Sequence, residues 1–210
     1  GIEKILNHYF KNTYLTEVLT EVLIPGYEIE RRIAFFFKST KAKKDPRRNF
    51  LMKHIAQATS AAPTYFPPKK IPTEDLSEYY ALVDGGVYAN NPAMCAYVEA
   101  KTMFPEEKDF LVVSLGTGEL TRPIYFDQAE HWGMMQWARP LLSVVFDGIN
   151  DTTDYELRQL LPTFEGIQKY FRFQVRLDEG NDNLDNVDKV NIRALKLYGE
   201  ALIRDNTDLL

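Results

Sequence analysis

The chain has 210 residues, 45% of them hydrophobic and 26% charged, with a net charge of −5. That length suffices for one domain with a full core, burying roughly 70–75% of the surface its unfolded form exposes, and the composition excludes intrinsic disorder. The acidic balance gives no footprint for nucleic acid, a single cysteine, Cys95, excludes an intramolecular disulfide and a cysteine-only metal cage, and no apolar run reaches the ~18 residues of a membrane-spanning helix.

Taken in chain order, "YLTEVLTEVL" (14–23) sets Tyr14, Leu15, Val18, Leu19, Val22 and Leu23 along one helical face, with Pro25-Gly26 as the stop. "EIERRIAFFFKS" predicts a strand whose centre, Ile33 to Phe37, is apolar on both faces, as in a sheet covered by helices on both sides. A short helix over 50–59 leads into "SAAPTYFPP", whose three prolines forbid regular structure. "YYALVD" is the next strand and "PAMCAYVEAKTMF" the next helix, with Asn91 as N-cap and Pro92 at its first position. "DFLVVSLGTG" (109–118) predicts another buried strand, running into a glycine-rich turn.

From His131 to Leu161 the pattern predicts two helices broken near "FDGIND". "YFRFQVRL" (170–177) alternates strictly, as a half-exposed edge strand does. The last helix follows Asp185, with Val187, Val190, Ala194, Leu197 and Ala201 on one face. Strands alternating with helices predict an α/β/α three-layer sandwich around a mostly parallel central sheet. In such sheets ligands bind at the carboxyl ends of strands. Asp84 and Gly116 both fall at such ends, which points to a shared site.

Asp84-Gly85-Gly86 alone is an ordinary turn signal, because Gly tolerates positive φ and Asp bonds to backbone two residues on. Its context is more specific: a buried strand precedes it and a helix follows. "ATSAAPTYFPP", "LVDGGVYANNPA" and "VVSLGTG", in this order over 58–118, closely resemble the patatin-like phospholipase family. "LIPGYEIE", "FFFKS" and "NVDKVNIRALKLYGEAL" extend the resemblance to nearly the whole chain.

The resemblance implies a lipid acyl hydrolase (phospholipase A or lysophospholipase type) with a Ser–Asp dyad, an acyl-serine intermediate and no cofactor. Asp84 would be the aspartate, with Gly85 and Gly86 forming the turn that supports it. A carboxylate within hydrogen-bonding reach can take the proton of an attacking serine and return it to the leaving group. The family's serine sits in a Gly-x-Ser-x-Gly elbow, and a glycine-rich loop forms the oxyanion hole; neither pattern occurs here. None of Ser39, Ser60, Ser77, Ser114 and Ser143 has glycines two away on both sides, and Ser114 reads as a structural strand residue. The resemblance therefore implies that residues 1–210 are the C-terminal part of one catalytic domain, lacking its N-terminal strands and inactive alone. The rival readings are a lipid- or protein-binding module that kept this fold, and an acyltransferase or thioesterase.

His8, His54 and His131 are isolated, and no His/Asp/Glu cluster has metal-ligand spacing. "KSTKAKKDPRR" (38–48) holds six basic residues against one acid: a solvated loop, or a patch for anionic lipid surfaces. "ATSAAPTYFPP" reads as a rigid connection that also shapes the wall of a lipid cleft. "GMMQWARPLLSVVF" (133–146) reads as core packing, with an acyl-chain channel as the alternative. Expected partners are thus an acyl-lipid substrate and peripheral contact with a membrane. The compartment stays open between cytoplasm, membrane surface and secretion.

Overall fold

The structure, a computed structural model, describes residues 1–119, 122–138, 140–177 and 186–207. The chain divides into two compact units, Gly1–Glu106 with Leu142–Thr153, and Glu107–Leu141 with Asp154–Leu210.

In the first unit α1 (Ile2–Phe10) precedes a hairpin of β1 (Leu23–Glu28) and β2 (Ile33–Lys38). The one-turn α2 (Ser39–Ala42) and α3 (Met52–Thr59) follow, then a second hairpin of β3 (Lys69–Pro72) and β4 (Tyr79–Asp84). The one-turn α4 (Gly86–Ala89) and α5 (Ala93–Met103) complete this part of the chain. The strands form one sheet in the order β2-β1-β4-β3.

Every pairing in that sheet is antiparallel, which corrects the expected mostly parallel central sheet. Only four residues join β1 to β2 and only six join β3 to β4. A parallel return needs a crossover of a dozen or more residues, so links this short allow hairpins alone.

The helix expected over 14–23 is absent, and Pro25-Gly26 lies inside β1. Leu15–Glu17 forms a single 3-10 turn. Leu15 is fully buried, and its N–H donates to the Phe50 carbonyl (2.9 Å), while the Met52 N–H donates to the Thr13 carbonyl (2.8 Å). Tertiary pairing with residues 50–52 thus overrides the helical spacing, and Leu19 is left in solvent.

Leu15 belongs to a core with Phe35, Phe37, Phe50, Ile55, Ile71, Tyr80 and Leu82. Its centre is a chain of ring contacts: Tyr80–Phe35 (4.6 Å), Phe35–Phe37 (4.9 Å), Phe37–Phe50 (5.5 Å) and Phe50–Tyr80 (5.9 Å). Phe36 points the other way and meets Tyr88 of α4 edge-on at 5.7 Å, which accounts for the two-faced apolar pattern of β2.

Glu28, at the end of β1, is completely buried. Its carboxylate accepts the Arg31 N–H and the Ala81 N–H (3.0 Å), with Arg31 Nη1 3.6 Å away. This one side chain closes the β1–β2 turn and finishes the β1–β4 ladder.

The second unit contains β5 (Val112–Leu115), α6 (Phe126–Ala129), α7 (Met134–Trp137), part of α8 (Pro140–Leu160), β6 (Tyr170–Phe173) and α9 (Lys189–Asp205). β5 and β6 pair in parallel, from Val112↔Tyr170 to Leu115↔Phe173. Tyr170 donates to Asp154 (2.9 Å), which also accepts from Arg158 (2.7 Å), and burial pushes the Tyr170 phenol up to about 12.

Four expectations change here. α8 runs unbroken through "FDGIND": Gly148 costs a helix only about 1 kcal/mol, and no proline interrupts it. β5 is not a buried strand, since Leu111, Val113 and Leu115 are exposed, and Met134, Met135, Leu141 and Val144 are exposed where core packing was expected. The face of α9 expected to turn inward does not, since Val187, Val190 and Leu197 are exposed; Asp185, read as the residue before that helix, lies outside the described residues.

Replacing Glu28 by Ala orphans the buried Ala81 N–H, at roughly 1–3 kcal/mol, and releases the Arg31 N–H toward solvent, so Glu28→Ala is expected to cost about 1–3 kcal/mol. Urea denaturation checks this; a cost below about 1 kcal/mol would remove Glu28 from its place in the sheet.

Candidate active site

Asp84 is the last residue of β4 and stands opposite Gly26 of β1. Its N–H donates to the Ala61 carbonyl (3.0 Å), which ties the strand end to the segment after α3. Its Oδ1 accepts the Gly86 N–H at 2.7 Å. Burial pushes the Asp84 carboxyl above its ordinary 3.8, and the Gly86 hydrogen bond offsets part of that rise. A half-buried carboxylate with a raised pKa is a stronger proton acceptor than a solvated one.

Gly85 and Gly86 are needed for a different reason from the one the sequence suggests. Neither has positive φ; Gly85 is in the right-handed helical region at φ −68°. What requires glycine is space. A Cβ on Gly85 would lie 2.5 Å from the Pro25 carbonyl carbon and 2.6 Å from its oxygen, both backbone atoms that cannot move aside. A Cβ on Gly86 would lie 3.1 Å from Asp84 Oδ1 and 3.4 Å from Asn90 Oδ1. The first glycine lets the turn sit on β1, and the second leaves room beside the carboxylate.

Two features beyond the motif hold this turn. The Tyr88 hydroxyl donates to the Phe35 carbonyl (3.0 Å), fastening α4 to β2. Asn91 Oδ1 accepts the Ala93 N–H (3.2 Å), but α5 begins at Ala93 with Pro92 as its N-cap, so the helix starts one residue later than expected and Asn91 precedes the cap. The start of α5 was legible as a local pattern to within one residue. The Tyr88 and Ala61 contacts were not, since they join residues 53 and 23 positions apart.

"ATSAAPTYFPP" begins with the last two residues of α3 and from Ser60 on forms turns, with Tyr65 and Phe66 N–H groups bonded to the Ala62 carbonyl. Its residues Ser60, Ala61, Phe66 and Pro67, with Ile2 and Gln57, line a cavity of about 300 Å³. The segment therefore both walls a cavity and, through Ala61, anchors Asp84.

The serines of the first unit are engaged elsewhere or exposed. Ser39 bonds to Glu21 and Val22, Ser60 donates to the Ala56 carbonyl, Ser77 donates to Asp75, and Ser143 is exposed. In the second unit Ser114 is buried in β5 and accepts from Arg172 (2.8 Å); Gly116, after that strand, donates its N–H to the Phe173 carbonyl. Asp84 belongs to the first unit and Gly116 to the second. His54 lies on α3, its pKa lowered by burial and by Lys69 and Lys53. His8 packs on Tyr9, and His131 lies beside Glu130.

The basic segment is largely neutralised within the fold. Lys38 pairs with Glu99, Lys43 with Glu21 and Arg47 with Asp45, while Arg48 stacks 5.4 Å from the rings of Phe35 and Tyr80. Lys41 and Lys44 point to solvent. Among the described residues no helix is long and apolar enough to cross a membrane.

By fold and site this is an α/β protein that presents a half-buried aspartate at a strand-to-helix turn. Residues 1–97 match the family described as Patatin-like phospholipase, and the chain as a whole is similar to curated patatin-like proteins. Patatin-like protein 4 of Arabidopsis thaliana is 30% identical over 96% of this chain and 56% of its own length. Patatin-like protein 2 of Oryza sativa subsp. indica is 29% identical over 98% of this chain and 57% of its own. Probable inactive patatin-3-Kuras 1 of Solanum tuberosum is 28% identical over 96% and 59%. The chain thus spans little more than half the length of the curated relatives it matches.

The two glycines separate in their expected effects. Gly85→Ala must push Pro25 or the turn aside and is expected to cost about 2 kcal/mol or more. Gly86→Ala is expected to cost less, since only side-chain oxygens oppose it. Denaturation midpoints of the two variants decide the order; equal costs would contradict the Gly85–Pro25 contact.

Proposed function

We propose that these residues are the C-terminal part of a patatin-type catalytic domain, a three-layer α/β/α sandwich when complete, and that they supply the base of a lipid acyl hydrolase. The observation that carries the reading is Asp84: a half-buried carboxylate with a raised pKa, held by a backbone N–H at a strand end within the family match. The nucleophilic serine and the oxyanion donors are assigned to the part of the fold outside these 210 residues.

In this mechanism Asp84 accepts the serine hydroxyl proton as the oxygen attacks the ester carbon. The acyl group moves to the serine, and the proton passes from Asp84 to the departing alcohol. Water then attacks the acyl-serine, giving its proton to Asp84, which passes it to the serine oxygen as the free acid departs. The substrate is an ester of a phospholipid or a related acyl lipid. The Gly86 N–H keeps one carboxylate oxygen in place throughout.

A non-catalytic binding module is the second reading, favoured by the absence of a Gly-x-Ser-x-Gly within 1–210 and by the similarity to the potato relative named Probable inactive patatin-3-Kuras 1. Activity decides between them. In a longer polypeptide carrying Gly-x-Ser-x-Gly, Asp84→Asn is expected to abolish esterase activity, by 10³-fold or more. The wild-type kcat/KM should rise with pH through one ionisation above 3.8, the direction that burial of Asp84 sets. Stability should not fall at neutral pH. A folded pKa raised above the unfolded one makes ionised Asp84 unfavourable, a cost present at neutral pH and lost as pH drops through that window. Retained activity in Asp84→Asn would exclude the dyad.

Peripheral contact with a lipid surface, in the cytoplasm or outside it, belongs to the proposal, and in the basic segment the exposed Lys41 and Lys44 are the cations assigned to it. At ~1 kcal/mol per lysine near an anionic surface, replacing both by Gln is expected to weaken binding to phosphatidylserine-containing liposomes at least about tenfold. Unchanged binding would remove segment 38–48 from the interface.

A further inference from the structure

We propose that Tyr88 is a positioning residue for Asp84, its hydroxyl holding on β2 the turn that sets the carboxylate. The inference rests on the reading of Asp84 as the base. The strand register places Phe35, Gly26 and Asp84 in one row across β2, β1 and β4. At Asp84 the chain leaves the sheet, and four residues later it is bonded back to the same row, where the Tyr88 hydroxyl donates to the Phe35 carbonyl at 3.0 Å. Covalent chain, sheet pairing and this hydrogen bond close a ring that contains Asp84, Gly85 and Gly86.

The ring matters because α4 is a single turn. Its own bonds are few: the Tyr88 and Ala89 N–H groups both donate to the Gly85 carbonyl, at 3.1 and 2.9 Å. One helical turn has no stability of its own and depends on tertiary contacts. Tyr88 provides them, with its ring 5.7 Å from Phe36 and 6.2 Å from Tyr27. Its phenol is half-buried, and burial raises its pKa, so the hydroxyl remains a neutral donor at physiological pH.

Gly86 is the first residue of α4 and donates to Asp84 Oδ1 at 2.7 Å. A displacement of α4 therefore carries the donor away from the carboxylate. Gly85 blocks movement in one direction, toward the Pro25 backbone, and Tyr88 opposes movement in the other.

Tyr88→Phe tests this, because it keeps the ring contacts and removes only the hydroxyl. Amide hydrogen exchange on the 210-residue chain gives a readout independent of activity. The Gly86 N–H is expected to exchange at least tenfold faster in Tyr88→Phe, while the amides of Leu82 and Ile55 exchange as in the wild type. Unchanged Gly86 exchange would overturn the proposal, and so would equal acceleration at all three amides, the mark of global destabilisation. In a longer polypeptide with Gly-x-Ser-x-Gly, Tyr88→Phe is expected to lower kcat about tenfold with KM within twofold; a change in KM alone would overturn it. If Asp84→Asn retains activity, the base assignment falls while the exchange result stands, so the two failures are distinct.

Discussion

The backbone of Pro25 lies where a side chain on Gly85 would have to go, and this contact governs the geometry around Asp84. β1 is an inner strand of the four-stranded sheet, so Pro25 cannot retreat without disturbing its pairing with β2. The chain after Asp84 must therefore turn immediately, close against β1, and only glycine allows it. The Gly86 N–H then reaches Asp84 Oδ1, and α4 lands where Tyr88 can bond to Phe35. The core beneath, from Tyr80 and Phe35 to Phe37 and Phe50, keeps β2 and β4 in register so that these contacts recur in every molecule.

Charge is distributed to match. Glu28 is buried and accepts one backbone N–H on each oxygen, from Arg31 and from Ala81, so it fixes backbone. Asp84, by contrast, has burial without a cationic partner among the causes of its shift, and a single backbone donor. Two carboxylates in one sheet thus have separate fates: one is spent on structure, the other is left basic.

Much of this was legible in the sequence where the signal is local. β2 and β4 announce themselves by apolar runs, α5 by its Asn91-Pro92 start, and Asp84 by its place between a strand and a helix. The antiparallel sheet was not legible, because β1 carries Pro25-Gly26, which reads as a stop, and β3 is only Lys69–Pro72 after a proline-rich stretch. Segment 14–23 has helical spacing, yet Leu15 is pulled into the core by partners at 50–52. Gly85 and Gly86 do lie at the turn, but neither has the positive φ that the sequence suggests; their positions are tight in space instead. Close approach between residues 60 positions apart leaves no trace in a local pattern.

The central claim is that Asp84 activates a serine that lies outside these 210 residues. A fluorophosphonate, which phosphonylates activated serines, addresses it directly when reacted with a longer polypeptide carrying Gly-x-Ser-x-Gly and followed by peptide mass spectrometry. The account predicts one adduct, on the serine of that elbow, formed by the wild type and lost in Asp84→Asn. An adduct on Ser39, Ser60, Ser77, Ser114 or Ser143, or labelling of the elbow serine that persists in Asp84→Asn, would contradict it.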